Sequence, residues 1–395
     1  MEYFLQKKSG VSVKINERDV GAVEASRGRK MQIGVITNPN SHKNMNRPHR
    51  AQELQSIVGS LGQVHATQSP EEIKPVLREF LRNRARFWVS DGGDGALHWM
   101  LRFGLDVVEE EAAKGEPVSL PLALPTNGGS IDFVAHNVGI RGDAKSILKR
   151  LREDLEEGRQ IEEVEVDSML IEGVQEKDGQ EVPFRTLGFG VAAGGVGQRF
   201  FDKLEEAGQH TSRNIIEIVA KTVASFPVAM SPLRHLPGMP KVLRQFARDM
   251  FNPTVCRVTI DGEEIPYEDF TGIHIASMSL NLGGVLRFFS KADVPGQLHC
   301  IVGSPSPFCI IRNVPRMHFG MKMKGDSLVD GPCKTMTMEA TGDELMAPVI
   351  DGEYYQNVKK ISFKPGPRVT IPKIVGRKPR GVQMLEKLEK LGQPL

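Results

Sequence analysis

Apolar positions along the chain follow two rhythms, and the change falls near residue 160. Before it, short apolar runs alternate with helical spacings. MQIGVITNPNS (31–41) reads as a buried strand that leaves into a polar loop. Ala51, Leu54, Ile57, Val58 and Leu61 then recur with the 3.6-residue period of a helix. QVHATQ (63–68) reads as a second strand, and Ile73, Val76, Leu77, Phe80 and Leu81 stripe the next helix. RFWVS (86–90) is a third strand, LHWMLRFGL opens a third helix, and VSLPLALP (118–125) is a fourth strand. Strands alternating with helices predict a parallel sheet with crossover helices.

Beyond residue 160 the period becomes two. QIEEVEVDSMLIEG, RVTIDGEEI, TGIHIASMSL, QLHCIVG, KTMTMEA, APVIDGEYY and KKISFKP all alternate, which predicts an antiparallel, sandwich-like second domain. One helical insertion, 197–251, interrupts it. The expected organisation is an N-terminal arm at 1–30, an α/β nucleotide-binding domain at 31–158, and a β-sandwich substrate domain at 159–372. A basic tail with a short amphipathic helix follows at 373–395. The predicted fold class is thus α/β plus all-β.

Composition narrows the class. A chain of 395 residues, 39% hydrophobic and 25% charged, has material for two cores. A net charge of +2 gives no global reason to expect a nucleic-acid partner. The four cysteines show no metal-ligand spacing and fit a reducing, cytoplasmic setting. No run of about 20 apolar residues is present, so no membrane-spanning helix is expected.

Three polar loops leave the carboxyl ends of the predicted parallel strands: TNPNSHKN (37–44), DGGDGA (91–96) and LPTNGGSIDF (124–133). Ligands of open parallel sheets bind at that edge. Glycines let the backbone approach a phosphate, and amides at a helix start form an anion cradle. Ordinary βα turns remain the alternative explanation of each loop taken alone.

The ordered motifs resemble those of the diacylglycerol kinase catalytic-domain family, which includes sphingosine and ceramide kinases. GGDGALHWM resembles its G-G-D-G-T, ITNPNS its N-P-x-[SA]-G, and LPTNGGSIDFVAHNVGI its L-P-x-G-T-x-N-D-F-A-R loop. FRTLGFGVAAGGV resembles the glycine strand of its second domain, and APVIDGEYY its late D-G-E. The resemblance runs from about residue 31 to 372.

It implies ATP-dependent phosphorylation of a lipid hydroxyl with Mg²⁺, the nucleotide lying against the first domain and the lipid between the domains. Asn38 and Thr67 would help hold ATP, and Gly92, Gly93, Asp94, Gly95, Ala96, Gly128 and Ser130 would surround its phosphates. Asp351 is the expected general base. Glu353 stands beside it, and Asp94 supports the metal or the acceptor hydroxyl. Asp91 is expected to be a turn residue. A second D-G-E at 261–263 reads as an ordinary hairpin.

Departures from the pattern are local. Ala96 replaces the family's Thr, while Gly129 and Ile131 take the Thr and Asn positions of the third loop. Losing such hydrogen bonds would weaken ATP binding about 10–100-fold. In ADVPGQLHC (292–300), Asp293 and His299 make a poor ligand set for the structural Mg²⁺ of bacterial relatives, so none is expected there. The insertion carries a stripe of Ile215, Ile218, Val219, Val223 and Phe226, with five Lys/Arg and no acid from Lys221 to Arg248. It predicts either helices covering the sandwich or an interfacial pair that meets anionic lipid.

Expected partners are a lipid substrate, a membrane surface met peripherally, and a second copy in a homodimer. Two rivals stand beside the lipid kinase: an NAD kinase-like enzyme acting on a soluble metabolite, and a catalytically weak nucleotide- or lipid-binding protein.

Overall fold

A computed structural model describes residues 31–376, apart from 42–43, 116–117, 130, 209–211, 231–240, 283–284, 293 and 343. The arm at 1–30, the tail beyond 376, Ser130 and Asp293 therefore lie outside the described residues. The chain divides into two compact units, one reaching to Glu165 and resuming at Thr370, the other spanning Val166–Val369.

The first unit alternates strand and helix as the apolar pattern predicts. Its elements are β1 (Ile33–Thr37), α1 (Arg50–Val58), β2 (Gly62–Ala66), α2 (Ile73–Arg82), β3 (Phe87–Asp91), α3 (Asp94–Ala112), β4 (Leu122–Pro125), α4 (Phe133–Asn137) and α5 (Ala144–Glu156). The strands form one parallel sheet in the order β2-β1-β3-β4, with Val35 opposite Val64 and Val89, and Val89 opposite Leu124. Both faces of β1 and β3 are buried, which is why these strands read as unbroken apolar runs. Leu54, Leu77, Phe80, Leu97 and Leu101 on the helices are buried with Phe87 and Trp88 on the central strand. Asp143 starts α5 by accepting from the Ser146 amide at 2.9 Å.

The second unit is mainly antiparallel. Its first part holds β5 (Glu163–Lys177), β6 (Gln180–Gly188), β7 (Gly190–Gly195), α6 (Val196–Glu206), α7 (Ser212–Met230) and α8 (Lys241–Met250). Then come β8 (Thr254–Ile260), β9 (Glu263–Glu264), β10 (Asp269–Phe270), β11 (Gly272–Ala276), β12 (Leu280–Leu282), β13 (Leu286–Phe288) and β14 (Leu298–Gly303). The chain continues with α9 (Pro307–His318), β15 (Leu328–Cys333), β16 (Met336–Ala340), β17 (Val349–Ile350), β18 (Glu353–Tyr354) and β19 (Val358–Pro372). One sheet runs β10-β8-β16-β19-β5-β6 with β9 beside β8, and another runs β15-β14-β11-β7-β17-β18. β12 and β13 form a separate ribbon.

Within the insertion, Ile215 and Ile218 on α7 and Ala247 and Met250 on α8 are buried, so these apolar faces cover protein, while Val223 stays exposed. Helix α9 is an addition to the predicted elements. No helix among the described residues is long and apolar enough to cross a membrane.

Candidate active site

The carboxyl edge of the parallel sheet is assembled around Asp91. This residue was expected in a turn; instead it ends β3, fully buried. Its carboxylate accepts from Arg50 Nε at 3.0 Å, Arg50 Nη2 at 2.8 Å, Thr37 Oγ1 at 2.7 Å and Asn44 Nδ2 at 3.1 Å. Burial alone would lower the pKa of Arg50, but the hydrogen bond and charge of Asp91 outweigh it and raise it above the ordinary value. One buried carboxylate thereby ties the end of β1, the loop after it and the start of α1 to β3.

Asn38 begins that loop. Its amide donates to the Asp91 carbonyl at 3.2 Å, and its Oδ1 accepts from the Asn40 amide at 2.9 Å, turning the chain. Thr67, buried just after β2, donates its amide to the Thr37 carbonyl at 3.1 Å.

The two glycine loops pack backbone on backbone. The Gly128 amide donates to the Gly92 carbonyl at 3.0 Å. A Cβ on Gly128 would lie 2.7 Å from Gly92 O, and one on Gly129 would lie 2.6 Å from Gly93 Cα and 2.8 Å from Asp132 Oδ1. Gly129 is therefore required here, where the motif would have placed a threonine. A Cβ on Gly92 would meet the methyl of Ala96 at 2.4 Å, so Ala96 closes over Gly92.

Asp94 opens α3, and both of its oxygens serve α4. Oδ2 accepts from the Phe133 amide at 3.0 Å and Oδ1 from the Val134 amide at 3.2 Å. Asp132 accepts from the Gly129 amide at 2.8 Å and stands in the left-handed region, φ 51. These bonds make Asp94 and Asp132 the pins of the third loop. Each Asp94 oxygen keeps acceptor capacity beyond its amide, and no cluster of three metal-binding side chains is found among the described residues.

The same edge does fit an anionic ligand. Helix α3 has 19 residues, and no side chain caps its N-terminus, leaving first-turn amides and a partial positive charge. Ser41 Oγ, Ser90 Oγ, Thr126 Oγ1 and Arg50 Nη1 are buried and without a hydrogen-bond partner. They follow or end β1, β3 and β4 or anchor Asp91, and buried polar groups of this kind call for a ligand or water. Sequence reasoning passed over Ser90, Thr126 and Arg50.

Asp351 and Glu353 belong to the second unit. Asp351 turns β17 into β18 with φ 50, and its Oδ1 accepts from the Phe189 and Gly190 amides at 3.0 and 2.8 Å. Its own amide donates to the Gly190 carbonyl at 2.9 Å. Asp261, expected to be structural, does the same in an exposed hairpin: Oδ1 accepts from the Lys334 and Thr335 amides at 2.8 and 2.7 Å. Glu353 is half-buried on β18. Of the expected site residues, Asn38, Thr67, Gly92, Gly93, Asp94, Gly95, Ala96 and Gly128 thus share one sheet edge, while Asp351 and Glu353 share one hairpin.

No protein-family model matches the sequence, and no curated protein matches it. Likeness is found in three dimensions. Two solved structures of a proposed diacylglycerol kinase from Bacillus anthracis strain Sterne align at 12% identity. One covers 90% of this chain and 100% of its own at TM-score 0.51, the other 88% and 98% at TM-score 0.53. A yeast NADH kinase complexed with NADH covers 93% of this chain and 89% of its own at 12% identity, with a TM-score of 0.44 that carries no weight. The chain has the kinase-like fold of the Bacillus structures, an α/β sheet followed by antiparallel sheets. Likeness at this identity establishes the fold alone.

Proposed function

We propose that the chain is an ATP-dependent lipid kinase that phosphorylates a hydroxyl of a diacylglycerol- or sphingoid-like lipid while peripherally associated with a cytoplasmic membrane surface. The observation that carries the proposal is the carboxyl edge of the parallel sheet. There an uncapped helix start, two interlocked glycine loops and four unpartnered buried polar atoms meet. ATP bound there would supply the phosphoryl group, with its Mg²⁺ offsetting phosphate charge.

The chain's own contribution is positioning. The first-turn amides of α3 and the Ser90 and Thr126 hydroxyls would hold phosphate oxygens, with Arg50 adding positive charge. Asn38 and Thr67 would border the nucleotide. Asp94 and Asp132 keep the third loop against the second. The acceptor's proton is assigned to the Asp351–Glu353 hairpin, Asp351 being fixed by the Phe189 and Gly190 amides and Glu353 standing half-buried next to it.

The hydrogen bonds of Asp94 and Asp351 favour one alternative, a nucleotide-binding protein without turnover, because both carboxylates already serve backbone amides. Phosphate transfer from labelled ATP and Mg²⁺ to micellar diacylglycerol, sphingosine, ceramide and phosphatidylglycerol, with NAD alongside, separates the readings. The lipid kinase predicts a labelled lipid, lost in Asp351→Asn or Glu353→Gln and retained in Asp261→Asn. ATP binding with no labelled product supports the binding protein, and labelled NAD supports a soluble-metabolite kinase.

A further inference from the structure

Helix α9 leaves large apolar side chains in solvent. Its buried positions are Cys309, Asn313 and Met317, whereas Phe308, Arg312 and Pro315 stand exposed, with Phe319 continuing that stripe past the last turn. The two sets lie about 130° apart around the helix axis. Phe319 is 66% exposed, Phe308 51%, and Met321, just beyond, 47%. The inner face, with Cys309 and Met317, covers the core, so burial in this chain does not account for the phenylalanines opposite.

The exposed residues are held in place. Asn313 Nδ2 donates to the carbonyls of Cys309 and Lys324, both at 2.8 Å, and its Oδ1 accepts from the Lys324 amide at 2.9 Å. Arg316 Nε donates to the Lys322 carbonyl at 2.8 Å, and the Met323 amide donates to Asp330 Oδ2 at 2.7 Å. Asp330 in turn pairs with buried His299 at 2.8 Å. The segment Phe319–Lys324 is thereby laid back along α9 by a polar network, with Met323 buried and Phe319 and Met321 left in solvent.

Charge identifies the occupant. From Val294 to Gly325 there is no Asp or Glu, while Arg312, Arg316, Lys322 and Lys324 lie in that stretch. Arg287 on β13 comes alongside at Gly320. Among the described residues none of these five cations pairs with a carboxylate. Other surface cations of the same unit do pair: Lys203 with Glu206, Lys221 with Glu217, Arg257 with Glu264 and Lys364 with Glu172. A nucleic-acid duplex would engage the cations and leave Phe308 and Phe319 in water. An anionic bilayer satisfies both, with rings at the headgroup boundary and cations at lipid phosphates.

We propose that α9 and the segment Phe319–Lys324 form the face by which this chain docks on an anionic lipid surface. The proposal deepens the lipid reading by naming the docking face. Its test reads binding without ATP, so failure of turnover and failure of docking are distinguishable.

The 395-residue chain is sedimented with phosphatidylcholine vesicles, with and without phosphatidylglycerol. Wild type, Phe308→Ser/Phe319→Ser and Lys322→Gln/Lys324→Gln are compared after circular dichroism shows equal folding. Wild type binds the anionic vesicles. The charge variant binds them about 25-fold more weakly, at about fivefold per cation. The phenylalanine variant binds about tenfold more weakly or worse. Lys221→Gln, removing a cation already paired on α7, binds as wild type. Either double variant binding like wild type, or wild type sedimenting with nucleic acid and not with anionic vesicles, overturns the proposal.

Discussion

Replacing Arg50 by methionine tests the role given to Asp91. Methionine keeps the apolar reach of the side chain and removes the two guanidinium donors, at 3.0 and 2.8 Å. Thr37 and Asn44 stay, at 2.7 and 3.1 Å, so the fully buried carboxylate keeps neutral donors but loses its counter-charge. Breaking a buried pair from one side costs about 3–5 kcal/mol, and the retained donors place the expectation near about 3 kcal/mol. Both tryptophans, Trp88 and Trp99, lie in the first unit, so their fluorescence in urea follows that unit alone. With a slope of about 2 kcal/mol per molar urea, the midpoint should fall by about 1.5 M. Arg50→Lys should fall between, because an ammonium cannot make the forked contact. Adding Asp91→Leu to Arg50→Met should recover about 1 kcal/mol or more by removing the stranded charge. A midpoint shift below about 0.5 M for Arg50→Met would refute the reasoning, since it would show the Asp91 carboxylate needs no buried cation.

Three further outcomes are expected. Gly128→Ala sets a Cβ 2.7 Å from the Gly92 carbonyl oxygen, a backbone atom, and should cost about 1–3 kcal/mol by tryptophan fluorescence, with weaker ATP binding. Gly342→Ala, with nothing within 4 Å, should change neither. Burial holds His274 down to about 4 from 6.5, so the folded state keeps it neutral while the unfolded chain takes up a proton below 6.5. Stability from this group is therefore complete above pH 6.5 and is lost as pH falls towards 4. The loss should be about 2 kcal/mol at pH 5 in urea unfolding followed by circular dichroism, and His274→Gln should flatten it. All four cysteines are buried, and burial pushes Cys256 up to about 12, so Ellman's reagent at pH 8 should titrate none before urea and four after it. A thiol that reacts rapidly in the folded protein would contradict that packing.

The parts of the fold that were legible are those where one period dominates. β1 and β3 are buried on both faces and read as continuous apolar runs, and the stripe of α7 at Ile215 and Ile218 did mark a buried face. Asp91 was misread because D-G-G is turn-forming locally, whereas its environment is fixed by Arg50, 41 positions earlier. The unpartnered hydroxyls of Ser90 and Thr126 had no pattern to announce them, since their meaning depends on where β3 and β4 stop. Helix α9 went unpredicted although Cys309, Asn313 and Met317 recur on one buried face, because Pro315 inside it reads locally as a helix breaker and one of the three buried residues is polar.

The D-G turns show why a motif that is legible in sequence still leaves its chemistry open. Asp178–Gly179, Asp261–Gly262 and Asp351–Gly352 each join two antiparallel strands by two residues with positive φ, 51 and 74, 51 and 89, 50 and 90. Asp and Gly tolerate that conformation, which the right-handed twist of a tight hairpin requires. Asp261 and Asp351 go further, each accepting from two successive amides where one strand gives way to the next, Lys334 and Thr335 between β15 and β16, and Phe189 and Gly190 between β6 and β7. Local geometry therefore explains both aspartates without catalysis. What separates them is setting: Asp261 is exposed, whereas Asp351 is buried with half-buried Glu353 two residues on. Asn substitution weakens the same backbone anchor in both hairpins and removes a charge from both. Loss of turnover confined to Asp351→Asn would therefore come from the chemistry of that carboxylate and not from its turn.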